Sequence, residues 1–431
     1  MGEKVEKLMD RIRKPEQLKY PLDIVLFDAN SYFASCHQAV DNNLRDKPLL
    51  VAGDPKNRTG IILTSSFEAR LYGVKTAMPL NQALRLCPEA IVVSPDFSLY
   101  LELSEKMWQI VERYTDHEHI EVVSIDECFA DFTGSHLLFG STVDIAKRVQ
   151  REIYQELHLG VSVGISFCKI FAKLASDYDR DPKTRIKRPR SFTVFEPDNL
   201  KTKIWPLQVD EISGIGSQLK KNLNSLGIRT IGDLALSDPQ VLKKHFGIYG
   251  LRIYEWANGR DHRPVNSGEK NIQNHSIGRS ITLPKDLTDQ EEIAQVLLSL
   301  SDSVGRKMRR EKAKTRTITL TVKTTKFKTR TFSTTLHEPT DLTDMIYRES
   351  LKLYKEKWLG HEAIRLLGVT AGRLQTGMEQ LSLFQEEIEE QTELSKTMDR
   401  IRDKYGSEIL VRGTQLLSLS KDISNRNKKD D

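Results

Sequence analysis

Three acidic residues lie where strand-like segments end, which are positions from which a carboxylate can bind a metal ion. The apolar run IVLF at 24–27 is typical of a buried strand, and Asp28 follows it directly. Asp126 and Glu127 divide the segment 121–132 into two strand-like pieces. A buried charge is costly unless it is paired or bound to metal, and clustered carboxylates suit Mg²⁺ or Mn²⁺. These residues therefore predict a metal site.

The three acids can meet only if the elements around them bring them together. Adjacent residues of a straight strand point to opposite faces, so we predict a turn at Asp126-Glu127. Without such convergence, a surface turn and an unrelated strand end explain the same residues equally well. Strands and helices alternate around the acids, which favours an α/β or α+β layered domain. Further strands are predicted over 48–52, 60–64 and 161–166, and helices over 65–72, 99–114, 142–157 and 169–178.

The second half of the chain predicts helices, a linker and another layered unit. From about Asn199 the pattern is helical, with glycines between short elements. Residues 258–272 are polar and carry Gly and Pro, which is typical of a linker. The segment 273–375 predicts a separate α/β unit with helices near 288–312 and 340–357. Its strand at 315–323 alternates polar and apolar residues, so we expect one of its faces in a core.

Length and composition exclude several classes of protein. The 431 residues, 38% hydrophobic and 29% charged, fit three or four globular domains and exclude a collagen, a low-complexity chain or a disulfide scaffold. No apolar run approaches the roughly 20 residues that span a bilayer, and the charged N-terminus has no signal-peptide core. The four cysteines show no CxxC spacing, as expected of reduced thiols. We therefore predict a cytoplasmic protein with no membrane partner.

The net charge of +5 decides little, but the distribution of charge predicts a polyanionic partner. Between Arg306 and Arg330, eleven Lys or Arg residues stand against one acid, Glu311. The segment 177–190 carries six basic residues and three Asp. Such blocks in a nearly neutral chain favour nucleic-acid binding, and a solvated helix face is the alternative.

Several segments together resemble the motifs of Y-family, or translesion, DNA polymerases. FDANSYFASC at 27–36 and SIDE at 124–127 resemble the two palm motifs of that family. SFEARLYGVK at 66–75 resembles its finger motif, and the segment from VGIS at 163–166 through FAKLA at 171–175 resembles the motif that closes the palm. The resemblance covers about residues 22–375. Asn30 is more like UmuC-type members and the finger motif more like DinB-type members, so the subfamily stays open.

The resemblance implies an α+β multidomain fold, the right-hand polymerase fold. Its parts are a ferredoxin-like palm, small fingers, a helical thumb with a helix-hairpin-helix, and an α/β little finger. The expected domains are an N-terminal arm at 1–20, a palm at 21–31 and 98–180, fingers at 32–97, a thumb at 181–258, a linker at 259–272, a little finger at 273–375 and a C-terminal tail at 376–431.

The resemblance also assigns roles to the residues of the site. Asp28, Asp126 and Glu127 would be catalytic and, with the backbone carbonyl of Ala29, would bind two Mg²⁺ ions, with Mn²⁺ as the alternative. Such a pair of ions activates a primer 3′-hydroxyl and neutralises a triphosphate. The nucleotide would contact the remaining residues, which are Tyr32, Phe33, Phe67, Arg70 and Lys173. Phe33 matches the steric gate against ribonucleotides, whereas Phe67 lacks the hydroxyl of the Tyr that the family often has.

Two regions are expected to bind DNA. The segment 212–219 resembles a helix-hairpin-helix, in which glycines let the backbone approach a phosphate; its candidates are Gly214, Gly216 and Lys220. A simple turn between helices is the alternative. In the little finger, the candidate phosphate contacts are Arg279, Arg316, Lys323, Lys326, Lys328 and Arg330.

The segment Gln380-Leu381-Ser382-Leu383-Phe384 follows the last expected domain. Its five residues resemble the motif with which bacterial proteins bind the sliding clamp, the β subunit. A short segment that orders in an apolar pocket fits this interpretation. The alternative is the first turn of an amphipathic tail helix.

Together these features predict a low-fidelity translesion DNA polymerase. It would add deoxynucleotides to a primer 3′-OH opposite a damaged template and release pyrophosphate. The expected partners are primer–template DNA, a dNTP and the sliding clamp, and a need for accessory subunits stays open. The first alternative is a clamp-tethered DNA-binding scaffold with weak or no catalysis, and the second is another palm-type nucleotidyl transferase or cyclase.

Overall fold

The structure is a computed structural model that describes residues 22–53, 60–184, 186–266, 276–360, 362–376, 386–406 and 409–410. The chain divides into two compact units, with the boundary after Lys270. The predicted arm at 1–20 and the clamp-like segment at 380–384 lie outside the described residues. Within those described ranges, no helix is both long and apolar enough to cross a membrane.

Strands and helices alternate through the first unit. Its described strands are β1 (Ile24–Ala29), β2 (Leu49–Ala52), β3 (Ile62–Ser65), β4 (Ile91–Val93), β5 (Ile120–Val122), β6 (Glu127–Asp131), β7 (Val161–Ser166) and β8 (Phe192–Phe195). Its described helices are α1 (Tyr32–Val40), α2 (Phe67–Leu71), α3 (Leu80–Leu86), α4 (Phe97–Glu112), α5 (His136–Phe139), α6 (Thr142–Leu157), α7 (Lys169–Ser176), α8 (Ser217–Ser225), α9 (Ile231–Leu236) and α10 (Pro239–Ala257). Most of the predicted elements lie within two residues of their expected ends.

A five-stranded sheet forms the centre of the first unit, in the order β5-β6-β1-β7-β8. Its middle strand, β1, pairs antiparallel with β6 and β7, and β7 pairs parallel with β8. Val25 and Phe27 pack with α4 and α6, whereas Leu26 packs with Ala172 of α7. All three β1 side chains are fully buried, which confirms the predicted central strand covered on both faces.

A smaller sheet, in the order β3-β2-β4, shares a core with α2 and α3. The region after β8 is mainly helical, as predicted, and α10 bends at Gly247, whose φ of 63° glycine adopts without strain. The four cysteines are buried and unpaired, in agreement with the expected thiols.

Residues 259–266, which the polar composition assigns to a linker, pack against α7 instead. The Asp261 carboxylate accepts the backbone N–H of Ile170 at 3.2 Å, and Lys169 donates to the Pro264 carbonyl at 3.3 Å. Asp261 and Val265 are both buried. The segment helps to fix the start of α7, because the first N–H groups of a helix have no partner within it and favour a negative charge.

The second unit consists of a four-stranded sheet and helices. Its described elements are β9 (Ser276–Leu287), α11 (Gln290–Arg310), β10 (Ala313–Thr324), β11 (Thr329–Thr340), α12 (Thr343–Lys357), β12 (Ile364–Thr376) and α13 (Glu386–Tyr405). The sheet order is β11-β10-β12-β9, and all neighbours are antiparallel. Ile318, Leu320 and Val322 of β10 are fully buried in a core with residues of α11 and α12, which confirms the predicted alternation.

Helix α13 is tied to α11 by ion pairs. Arg309 binds Asp399 at 2.6 Å, and Arg306 binds Asp403 at 2.6 Å. The region predicted as a tail at 376–431 therefore contains a docked helix, and part of the basic block expected to bind a polyanion is neutralised within the chain. The sequence block alone does not reveal this, because the acids lie about 90 residues further along.

Replacing Asp399 with Ala should destabilise the protein, because the Arg309 side chain, only 7% exposed, would lose its partner. Removal of one partner of a buried ion pair costs about 3–5 kcal/mol, so we expect the free energy of unfolding of the second unit to fall by about 3 kcal/mol. Urea denaturation of the full chain, followed by circular dichroism, measures this change. The matched control is Glu393→Ala, whose exposed pair with Lys396 lies on the same helix and should leave the midpoint unchanged. An Asp399→Ala midpoint equal to that of the wild type would contradict this role of the pair.

Candidate active site

The end of β1 and the β5–β6 hairpin place two acidic side chains next to each other. Asp28 pairs with Glu127 across the antiparallel register, so both side chains lie on the same face of the sheet. The predicted turn lies slightly earlier than expected, because Glu127 already begins β6 and its N–H donates to the Ser124 carbonyl at 3.4 Å. The Asp126 carbonyl accepts the N–H of Ala29 at 2.9 Å. Backbone hydrogen bonds thus join the two predicted palm motifs.

Lys173 lies between these two carboxylates. Its Nζ is 3.1 Å from Asp28 Oδ2 and 2.5 Å from Glu127 Oε1. Lys173 belongs to α7, which lies very close to β7: a Cβ atom on Gly164 would be 2.1 Å from the Ala172 carbonyl oxygen. Only glycine permits this approach, so Gly164 determines how far Lys173 reaches into the site.

Two residues of the site, Lys187 and Asp177, are not among those predicted from the sequence. Lys187 Nζ is 2.9 Å from Asp28 Oδ2 and 3.1 Å from Asp177 Oδ1. Lys173 also reaches Asp177, at 3.3 Å. The one sequence signal for these residues is the charge of the segment 177–190, which favours a polyanionic partner but does not identify single side chains.

Burial and neighbouring charges set the protonation of this cluster. Burial lowers the pKa of Lys173, but the nearby carboxylates, Asp28 foremost, outweigh it and raise that pKa above its ordinary value. Burial raises the pKa of Asp177, yet Lys187 and Lys173 bring it below the usual range. The pKa of Glu127 is raised, because burial and the neighbouring acids outweigh the attraction of Lys173. Lys173 therefore stays charged, and it lies beside the Glu127 carboxyl group, which binds a proton more readily than an ordinary glutamate does.

The donor set of the cluster suits a divalent cation, because carboxylate oxygens are the ligands that Mg²⁺ prefers. Two carboxylates, those of Asp28 and Glu127, already converge on the positive charge of Lys173. The Asp126 Oδ1 accepts a hydrogen bond from Ser124 Oγ at 2.6 Å. In the part of the chain that the structure describes, no three His, Cys, Asp or Glu side chains are grouped as metal ligands. Convergence of all three acids on a metal ion stays a prediction.

A cavity of about 340 Å³ opens beside this cluster. Phe67 and Arg70 of α2 line it, together with Leu63 and Thr64 of β3. The Arg70 guanidinium donates to the Ser65 carbonyl at 3.2 Å, and burial lowers its pKa from the ordinary value. The cavity combines acids suited to cations with basic groups suited to phosphates.

Tyr32 lines the cavity, whereas Phe33 is not among the residues of its wall. Phe33 stacks on Tyr100 with 4.3 Å between ring centres, and Phe97 meets it edge-on at 6.0 Å. The Tyr32 hydroxyl donates to the Tyr100 carbonyl at 2.6 Å, and burial raises its pKa. Helix α4 therefore positions both rings, and the gate role of Phe33 stays a prediction.

Asn30 fixes the turn after β1. Its Nδ2 donates to Ser162 Oγ at 2.8 Å, and its Oδ1 accepts the N–H of Arg190 at 2.8 Å. The next residue, Ser31, adopts a φ of 49°, a left-handed conformation that is uncommon outside glycine. Asn30 thus links β1 to the segment that carries Lys187, and an Asp here would lose the amide donor.

The helix-hairpin-helix candidates lie at the start of α8. Gly214 adopts a φ of 100°, and its carbonyl accepts the Tyr249 hydroxyl at 2.8 Å. Gly216 is the N-cap of α8, with open space where a Cβ would lie. Lys220 pairs with Asp210 at 2.8 Å. The two glycines are accessible to a phosphate, whereas Lys220 would have to leave Asp210 to reach one.

Two of the predicted DNA contacts in the second unit lie on the side of the sheet that helices cover. Arg279 pairs with Val369 and Arg330 pairs with Val322. Both valines are buried in the core beneath the helices, and residues paired across strands share a face. Arg330 lies over the Trp358 ring, 6.0 Å from its centre. A ligand on the opposite face, which no described helix covers, would not meet these arginines directly.

The other four candidates lie in β10 or in the turn that follows it, and one of them is on the opposite face of the sheet. Lys323 occupies that face of β10, and Arg316 lies at a bulge of the same strand. Lys326 and Lys328 lie in the turn between β10 and β11. Lys326 is paired with Glu362 at 2.8 Å. Their DNA contacts stay predictions.

Comparisons with known proteins agree with this arrangement. Residues 27–177 match the impB/mucB/samB family, and residues 274–383 match the C-terminal domain of that family. The protein called DNA polymerase IV of Pelotomaculum thermopropionicum is 38% identical over 394 residues, which are 91% of this chain and 95% of that one. A solved Y-family DNA polymerase chimera of Dbh and Dpo4 has a TM-score of 0.71 at 24% identity, over 82% of this chain and 99% of the chimera. A Dbh ternary complex has a TM-score of 0.55 at 25% identity, over 82% of this chain and 100% of Dbh.

Replacing Gly164 with Ala should push α7 away from β7, because the added Cβ would meet backbone atoms at 2.1 and 2.3 Å. Overpacking of this kind costs about 1–3 kcal/mol, and we expect the free energy of unfolding to fall by at least about 2 kcal/mol. Urea denaturation measures the loss. Gly134→Ala, where a Cβ would meet no atom within 4 Å, is the matched control. A Gly164→Ala variant as stable as the wild type would show that the two elements are not so closely packed.

Proposed function

This chain belongs to the Y-family DNA polymerases, as a DinB-like member, and we propose that it extends a primer by two-metal nucleotidyl transfer. It is a DNA-directed DNA polymerase of the translesion type, a class that acts in DNA repair. The observation that carries the proposed mechanism is the convergence of Asp28 and Glu127 on one cationic group at the end of β1.

Primer–template DNA and a dNTP are the substrates that we assign to the site. A solved relative, Dbh, is described as a ternary complex with substrates, which supports this assignment. The cavity offers a triphosphate three basic groups, those of Arg70, Lys173 and Lys187. Guanidinium and ammonium groups both suit phosphate oxygens, the first as a planar fork and the second as a point charge.

Internal ion pairs hold the site before substrates bind. Lys173 and Lys187 neutralise Asp28, which is largely buried and would be costly as a lone charge. A triphosphate brings negative charge to the two lysines, and a divalent ion brings positive charge to the carboxylates. Both sets of charges therefore stay compensated when the internal partners are exchanged for the substrates.

The metal ligands that we assign are Asp28, Asp126, Glu127 and the carbonyl of Ala29, with Mg²⁺ as the ion and Mn²⁺ as the alternative. Two such ions, when bound, lower the pKa of a primer 3′-hydroxyl and stabilise the charge of the leaving pyrophosphate. In this proposal Asp126 rotates away from Ser124, and Glu127 releases Lys173. The two paired strands orient the carboxylates through their backbone hydrogen bonds.

Phe33 is the residue that we assign as the steric gate. Its ring is held by Tyr100 and Phe97, so it cannot easily yield to an extra hydroxyl on the sugar. Tyr32 and Phe67, which line the cavity, complete the apolar contacts that we assign to the nucleotide.

We assign the segment 380–384 to binding of the sliding clamp, the β subunit. These residues lie outside the described part of the chain, so this proposal depends on the sequence alone. A clamp-tethered scaffold with weak or no catalysis is the alternative to the polymerase mechanism. Primer extension with Mg²⁺ distinguishes the two functions.

Replacing Asp126 with Ala should abolish primer extension, because the site would lose a carboxylate that we assign to the metal ions. We expect the rate of single-nucleotide incorporation to fall by more than about 100-fold, since even residues that only support metal ligands contribute 10- to 100-fold. Gel analysis of extended primers measures the rate, and fluorescence anisotropy should show unchanged DNA binding. Asp116→Ala, at an exposed acid, is the control. Retained extension by Asp126→Ala would remove Asp126 from the mechanism.

Replacing Phe33 with Ala should raise the incorporation of ribonucleotides relative to deoxyribonucleotides. We expect the ratio of the two kcat/KM values to shift by about tenfold or more, because steric exclusion from an apolar pocket is worth about 1–3 kcal/mol. Primer extension with matched dNTP and rNTP measures the ratio, and the dNTP rate of the same variant serves as the internal control. An unchanged ratio would contradict the gate role.

A further inference from the structure

One carboxylate of the cluster is neither among the metal ligands nor among the groups that contact the nucleotide. Asp177 directly follows α7 and lines the same cavity as Asp28. Its Oδ1 lies 3.1 Å from Lys187 Nζ, and its Oδ2 lies 3.3 Å from Lys173 Nζ. Asp177 therefore binds both lysines at once, each through a different oxygen.

The two lysines also share a second carboxylate, that of Asp28. Both Nζ atoms reach the same oxygen, Oδ2, with Lys187 at 2.9 Å and Lys173 at 3.1 Å. In the proposed mechanism Asp28 turns to the metal ions, and repulsion between those ions and the ammonium groups displaces the lysines from it. Of the described acids that pair with both lysines, only Asp177 then remains.

Lys187 reaches the site because the chain turns back on itself after α7. The Asp181 N–H donates to the Ile186 carbonyl at 2.9 Å, and Arg180 and Lys187 pair as an antiparallel bridge. The Arg180 Nε donates to the Asp177 carbonyl at 2.9 Å. Asp177 is therefore joined to the segment that carries Lys187 through its backbone as well as through its side chain.

Asp177 keeps its negative charge in this position. Burial raises its pKa, but the attraction of Lys187 and Lys173 outweighs that effect and lowers the pKa below its usual range. The carboxylate is therefore ionised at neutral pH and attracts the two ammonium groups. A lysine side chain has many rotamers, and one that is already held in place loses less freedom when it binds a phosphate.

We propose that Asp177 is a positioning residue, which keeps the ammonium groups of Lys173 and Lys187 at the triphosphate of the incoming nucleotide. It does so after Asp28 has turned to the metal ions. The inference rests on the proposed function, which provides the nucleotide and the ions, and it adds the residue that holds two of the three phosphate-binding groups. Each ammonium group has three donor hydrogens, so it can bind Asp177 and a phosphate oxygen at the same time. Loss of Asp177 should therefore weaken the binding of the nucleotide more than it slows the reaction of the bound nucleotide.

Asp177→Asn, which keeps the size of the side chain and removes its charge, tests the proposal. We expect the Kd of the incoming dNTP to rise about tenfold, the lower end of what is lost when a residue that orients a metal ligand is replaced, with kcat nearly unchanged. The Kd is measured without catalysis, from the change in fluorescence of a template 2-aminopurine when dNTP is added to the complex with Mg²⁺ and a dideoxy-terminated primer. Asp177→Glu, which restores the charge, should recover most of the affinity.

Asp179→Asn is the matched control. The Asp179 carboxylate lies two residues further along the chain and pairs with Arg188 at 3.5 Å, rather than with either lysine of the site. This variant should bind the dNTP as the wild type does.

A double-mutant cycle gives a second readout. Asp177→Asn should raise the Kd less in a Lys187→Gln background than in the wild type, because part of its effect passes through Lys187. A purely structural role of Asp177 would give the same increase in both backgrounds and would overturn the proposal. Urea denaturation shows whether any variant is less stable, and Asp177→Ser, a smaller neutral variant, carries the same expectation if Asp177→Asn folds poorly.

An unchanged or lower Kd in Asp177→Asn, or an equal rise in Asp179→Asn, would overturn the proposal. An unchanged Kd with a higher Mg²⁺ concentration for half-maximal incorporation would also overturn it, since Asp177 would then act on the metal ions. A wild-type chain that does not extend primers would refute the proposed function, whereas an unchanged Kd in an active enzyme would refute only the role of Asp177.

Discussion

Compensation of buried negative charge is the constraint on which the site depends. Asp28 is the penultimate residue of β1, in which Val25, Leu26 and Phe27 are fully buried, and the β1–β6 register places Glu127 next to it. Burial and neighbouring acids raise the pKa of Glu127, so a positive charge beside it is needed to favour its charged form. Lys173 provides that charge, and it reaches the carboxylates because Gly164 lets α7 lie against β7. The packing of α7 on the central sheet therefore also determines the electrostatics of the site.

In the proposed mechanism, the same balance of charges makes the site selective for a nucleotide and a divalent ion that bind together. A triphosphate alone would draw Lys173 and Lys187 away from Asp28 and leave a buried carboxylate without a partner. A divalent ion alone would bind the carboxylates and leave the two lysines unpaired. A metal–triphosphate complex satisfies both sets of groups at once. In this account the protein does not select the nucleotide or the metal separately, but accepts them together.

The local sequence pattern predicted most helices and strands of this fold. The features that it did not predict depend on contacts between residues that are distant in the sequence. The apolar run of β1 and the alternation of β10 depend on neighbouring residues, so the sequence alone indicates both. Lys187 could not be assigned, because its partner Asp28 lies 159 residues away and other basic residues surround it in the chain. The sequence motif does not determine the side-chain rotamer of Asp126 that accepts the hydrogen bond from Ser124. The basic block that begins at Arg306 looked like a single nucleic-acid surface because the acids of α13 that neutralise part of it are distant in sequence.

A crystal structure of the chain with primer–template DNA, a non-hydrolysable dNTP analogue and Mg²⁺ tests the central claim most directly. The account predicts ions at about 2.0–2.1 Å from oxygens of Asp28 and Asp126, with Lys173 and Lys187 moved onto the triphosphate. A bound nucleotide with both lysines still paired to Asp28, and no ion among the three carboxylates, would contradict it.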